Sequence, residues 1–214
     1  MTDPTSAPGT IVVSGTGRVA VEPDMAELRL GVAVSRASVA AARAAAAETM
    51  TAILGAVVAA GVATRDVRTT LLSVQPRYDY RDGTAPTLVG YDLANIVEVT
   101  VRDLGVLGAI VDAALSAGAT SLDGLSFQVD DPREAERAAR LAAVAEARSR
   151  AEVLAEAAGV TIGGVADIVE GGPPPSWPGP MAGKILRATA DAGTPVEAGT
   201  TEIAVTVTVT FRIA

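Results

Sequence analysis

LSVQPRYDYRDGTAPTLVGYDLANIVEVTV, Leu72–Val101, is the stretch whose reading decides the fold. It holds two β runs, predicted at Val67–Tyr80 and Gly90–Arg102, with Asp82-Gly83 in the loop between them, which reads as an antiparallel hairpin. Setting Tyr80 opposite Tyr91 places Tyr78 against Leu93, Val74 against Val97 and Leu72 against Val99. These residues then share one face, broken only by Pro76 against Asn95. Ser73, Gln75, Arg77 and Asp79 take the other face, and Arg77 reaches Asp92 diagonally. A one-residue slip would scramble this sorting. Arms of thirteen or so residues at roughly 3.3 Å each span about 43 Å, so the hairpin is expected to be long and protruding.

All three tyrosines, Tyr78, Tyr80 and Tyr91, lie in this stretch, half of the six aromatic residues of the chain. Tyrosine is favoured at protein interfaces because it joins a large apolar ring to a polar tip. Two readings of the tip stand side by side, contact with another chain and packing on its own domain. A small-molecule site ranks below both.

Outward from the hairpin, alternation and caps give the other elements. TIVVSGTGRVAV from Thr10 reads as a strand, and Ala26 to Val34 alternate as a second one. Ser38 to Ala60 has helical spacing with Gly61 as its stop. After the hairpin, Asp103 caps a helix that Gly118 ends. Ser121–Asp130 is a strand. Asp131, Pro132 and Glu134 open a long helix, with Glu136–Arg140 and Glu146–Arg150 as favourable i,i+4 pairs and Gly159 as its end. Val165–Glu170 is a short strand. The closing TEIAVTVTVTFRI sets Ile203, Val205, Val207, Val209, Phe211 and Ile213 against a threonine-lined face. The order β-β-α-β-β-α-β-α-β-loop-β fits an α+β fold of antiparallel sheets with helices packed on one side. Residues 1–9 read as a tail and 10–214 as a single domain, with two β-β-α runs that suggest a duplication.

Composition bounds the chemistry. The chain has 214 residues, is 49% hydrophobic and carries a net charge of −8, with one lysine among its seventeen basic residues. An acidic chain without a basic stripe repels phosphate, so nucleic acid is not an expected partner. Without histidine or cysteine there are no disulfides, thiol chemistry, Ser-His-Asp catalysis or usual zinc ligands. No cofactor or catalytic activity is expected. The alanine-rich segment around Arg43 and Glu48 is not read as a transmembrane segment. The opening MTDPTSAPGT lacks a signal-peptide pattern, so the chain is placed in the cytoplasm, or in the periplasm or outside the cell if a leader has been removed.

Other candidates read as structural. Gly15 and Gly17 form only G-x-G with no helix directly after them, which favours a bulge or close strand packing over a nucleotide loop. Asp123, Asp130 and Asp131 read as a turn residue, a strand end and a cap, and calcium would need more oxygen ligands. Residues 171–199 form a Pro/Gly-rich loop with Trp177, Met181 and the lone Lys184. Trp177 and Met181 are candidate anchors for a partner or neighbouring subunit, and Lys184 lacks a partner base.

The ordered set VSGTGRVAVEPDMAELRLGV, LSVQPRYDY, GYDLANIVEVTVRDLGVLGAIVDAALSAGA, LSFQVDDPREAERAARLAAVAEARSRAEVLAEAAGV and PVEAGTTEIAVTVTVTF resembles the SIMPL-domain family, whose bacterial members include periplasmic immunogenic proteins. The resemblance runs from Ile11 to nearly the end. It implies a non-enzymatic, secreted or envelope protein linked to oxidative-stress tolerance and able to form homo-oligomeric rings, and it supplies no catalytic residue. The expected function is therefore that of a self-assembling interaction protein, a homo-oligomer open to protein partners. Tyr78, Tyr80, Tyr91, Arg77, Trp177 and Met181 are its candidate contact residues. The alternative is a carrier of small molecules or metals, or an enzyme, using carboxylates and Arg77.

Overall fold

The computed structural model describes residues 9–80, 85–171 and 196–214. Within these residues seven strands and three α-helices follow in the order β1 (Thr10–Val21), β2 (Met25–Arg36), α1 (Val39–Ala59), β3 (Val67–Asp79), β4 (Thr87–Val101), α2 (Leu107–Ser116), β5 (Ser121–Gln128), α3 (Arg133–Ala158), β6 (Ile162–Glu170) and β7 (Thr201–Ile213). The expected α+β order holds, with every strand pair antiparallel. Where the sequence was read as one domain, the chain organises into two compact units, each with its own sheet. β1 pairs with β7, whereas β2 pairs with β4 and β5.

The first unit is the sheet β1-β7-β6 with α3 packed on it. Strict alternation along β7 turns Val207, Val209 and Phe211 into the core, as period-2 patterning dictates. Its threonines take the opposite face, where Thr208 and Thr206 meet the hydroxyls of Ser14 and Thr16 at 3.0 and 3.1 Å. From α3 the core receives only alanines at helical spacing, Ala143, Ala147 and Ala151. Such small side chains let the helix backbone come down onto β1, and Gly15 and Gly17 complete the approach. A Cβ on Gly15 would stand 2.1 Å from the Ala143 carbonyl oxygen, and one on Gly17 1.8 Å from that of Ala139. The G-x-G of the sequence is therefore a helix-packing device.

The second unit is the sheet β3-β4-β2-β5 with α1 and α2. Ser38 caps α1, its hydroxyl accepting from the Ala41 N–H at 3.3 Å. By length and composition α1 is apolar enough to cross a membrane. Here it buries Ala42, Ala46, Met50, Ile53 and Val57 in the core, facing β2 and β4. The opposite sheet face carries a row of alternating charge, Arg68, Glu98, Arg29 and Asp123 on β3, β4, β2 and β5, each directly opposite the next. The Glu98 side chain is 7% exposed because Arg68 and Arg29 lie across it.

Hairpin register departs from expectation. Val74 faces Leu93, Leu72 faces Asn95, Pro76 faces Tyr91, and Tyr78 faces Leu88. Tyr80 is therefore not opposite Tyr91, and the ladder runs on to Asp79–Thr87. The slide is four positions through most of the ladder. A shift by an even number leaves every side chain on its face, so apolar sorting cannot detect it. What favours the observed register is backbone pairing of Thr87–Gly90, which the expected one leaves in the loop. Bulges between Thr69 and Leu71 and between Arg77 and Tyr78 absorb the mismatch.

Candidate interaction surface

β3 is an outer strand of its sheet and none of its residues is buried. α1 faces β2 and β4, so beyond Val67, which packs against the core, the apolar side chains that β3 contributes lie uncovered. Leu71, Leu72, Val74, Tyr78, Tyr80, Leu88 and Val89 are each at least 40% exposed. Tyr80 reaches 74% and Leu72 66%. The Tyr78 and Tyr80 rings stand 6.3 Å apart, tilted by 59°, within the range of favourable aromatic pairs. Tyr78 and its partner Leu88 extend the row of Leu72, Val74 and Pro76 toward the hairpin end.

Tyr91 is set apart from this surface. It is half-buried, between Pro76 of β3 and Arg36 of β2. Arg77 stands opposite Gly90. That glycine has φ +157°, and a Cβ there would lie 2.7 Å from the Arg36 carbonyl oxygen. Its absence allows β4 to pass close to β2 at this point. Asp92 stands opposite Gln75 and accepts the Ser35 hydroxyl. The structure thus brings Tyr78 and Tyr80 together and places Tyr91 and Arg77 in the ladder behind them. Trp177 and Met181 lie outside the described residues, as does Lys184.

Leu72 and Val74 were placed on the apolar face from the sequence, but Leu71, Leu88 and Val89 were not singled out. Their signal was available in Leu71-Leu72 and Leu88-Val89, adjacent apolar pairs within strands. Such a pair puts one side chain on each face, so one face of an otherwise polar strand carries an apolar residue.

The carboxylates Asp123, Asp130 and Asp131 each face an arginine. Arg102 bonds Asp66 at 3.3 Å and Asp130 at 2.8 Å. Asp131 is held by Arg133 through side chain and backbone, which lowers its carboxyl to about 2. Asp123 faces Arg29. Among the described residues no group of three or more acidic side chains is placed to hold a metal ion.

The model of the SIMPL family, described as "Protein of unknown function (DUF541)", matches residues 11–211. The chain is 36% identical over 217 residues to the "26 kDa periplasmic immunogenic protein" of Brucella melitensis, covering 98% of this chain and 86% of that protein. It is also 36% identical over 145 residues to the "Uncharacterized protein YggE" of Escherichia coli strain K12, covering 68% of this chain and 58% of that one. Neither relative bears an enzyme's name. The Brucella relative's name overturns the cytoplasmic placing drawn from the opening residues. Those residues show only that no apolar stretch lies among them, which does not decide a compartment. A family match across nearly the whole chain, with relatives of this identity, establishes that the chain belongs to the SIMPL family.

Proposed function

We propose that the protein is a non-enzymatic interaction protein that self-associates through the apolar surface of the β3–β4 hairpin. The observation that carries this reading is the exposed row Leu72, Val74, Tyr78 and Leu88 with Tyr80 beside it. A contiguous apolar surface of this kind costs free energy in water at roughly 25 cal/mol per Å² and marks a contact site. Tyrosines at its end are suited to the centre of an interface. A second copy is the favoured occupant because a twofold contact lets this surface serve both partners at once. Pro76 and the bulge at Thr70 interrupt the outer edge of β3, so the contact is made by side chains on the face, not by strand addition. The relative named as periplasmic supports placing this activity in the cell envelope.

The chain has no cysteine, so Tyr80→Cys introduces a single thiol. A short bis-maleimide is expected to link two copies of this variant, and to leave an Arg148→Cys variant, on the exposed face of α3, unlinked. Failure to link at Tyr80, or equal linking at both sites, contradicts the reading.

A further inference from the structure

β1 is an outer strand of the sheet β1-β7-β6. Its backbone groups alternate between β7 and the free edge, so one set lacks a strand partner. At two rungs of that edge, side chains from α3 supply the partner. The Thr16 N–H donates to the Glu146 carboxylate. The Arg150 guanidinium donates to the Ser14 carbonyl oxygen at 2.8 Å and to Glu146 at 2.6 Å. One acceptor and one donor, locked as an i,i+4 pair, thus occupy the groups that an added strand would use. The reach depends on Gly15 and Gly17, which bring the α3 backbone down to β1.

The neighbouring surface shows what is being kept out. Beyond Arg150 an apolar groove of about 420 Å³ runs between β1 and α3, lined in part by Val13, Val153 and Leu154. Val153 is 63% exposed and Leu154 50%. An apolar groove beside an open strand edge is a template for β-strand addition. We propose that the Glu146–Arg150 pair is an edge guard, which prevents β1 from pairing with a strand of a second copy and so keeps association away from this edge. The proposal is independent of the hairpin reading.

The test uses the full chain carrying Leu72→Ser and Tyr80→Ser, so that hairpin contacts do not contribute. Adding Glu146→Ala and Arg150→Ala is expected to produce concentration-dependent species of higher mass. Arg148→Ala with Glu152→Ala is the control, a pair of the same spacing on α3 whose bond is to each other; it is expected to leave the mass unchanged. Thr16→Pro, which removes the N–H at the guarded rung, is expected to reverse the gain. A folded E146A/R150A chain with unaltered mass overturns the proposal, as does a gain that Thr16→Pro does not reverse. Hydrogen exchange on the unsubstituted protein gives a second reading that needs no folded variant. The Thr16 amide is expected to exchange at least about tenfold more slowly than those of Val12 and Arg18 on the same edge. Equal rates overturn the proposal.

Discussion

Gly15 and Gly17 gain their meaning from what stands above them, the backbone of α3 at distances no Cβ could tolerate. Nothing in the sequence around them names that partner, which lies over a hundred residues away, so only the need for closeness was legible. Asn95 presents the opposite case. It sits among apolar neighbours, between Val32 of β2 and Leu72 of β3, and its Oδ1 is buried with no hydrogen-bond partner among the described residues. Leaving a buried acceptor unpaired costs about 1–3 kcal/mol. Asn95→Leu, similar in volume, is therefore expected to raise unfolding stability by about 1 kcal/mol. Chemical denaturation with the midpoint followed by circular dichroism measures this, and an unchanged or lower midpoint contradicts it.

Among the elements, α3 shows how much a helix can be read locally. Both i,i+4 pairs and the terminal Gly159 were legible, because each acts within one or two turns, while the N-cap falls on Pro132, one residue past the expected Asp131. The Arg133 N–H does meet Asp131, at 3.2 Å. What the sequence did not show is where the pairs point. Arg150 reaches β1 and Arg140 reaches Glu170 of β6 at 2.9 Å, contacts fixed only once the sheet exists. The helix start also carries a pH dependence. The hydrogen bonds from Arg133 lower the Asp131 carboxyl from 3.8 to about 2. A carboxyl lowered on folding contributes stability that is fully present above its unfolded value of 3.8 and is lost as pH falls through about 2. Carboxyl resonances followed by NMR should show Asp131 titrating near 2 in the protein and higher after Arg133→Ala, which removes the side-chain bonds and keeps the backbone one. A midpoint unmoved by that substitution contradicts the assignment. The strands divide along the same line. Their positions followed from alternation, whereas the β3–β4 register did not, since the bulges and the even slide are invisible to apolar sorting.

At the scale of the molecule, the chain has two sheets that treat their outer strands differently. β1 carries side chains from α3 on its free edge, whereas β3 is left with an uncovered apolar row ending in two tyrosines. Of the three tyrosines that marked this stretch in the sequence, Tyr78 and Tyr80 stand on the exposed row and Tyr91 lies off it. The residues that make the surface continuous are the leucines and valines around it, exposed because α1 covers β2 and β4. Self-association through this surface is the central claim, and sedimentation equilibrium tests it most directly. The unsubstituted protein is expected to show a mass above 21.5 kDa that rises with concentration. A folded Leu72→Ser/Tyr80→Ser/Leu88→Ser variant is expected to sediment at 21.5 kDa. An unsubstituted protein at 21.5 kDa across the concentration range, or a variant that keeps the parent's mass, would contradict the account.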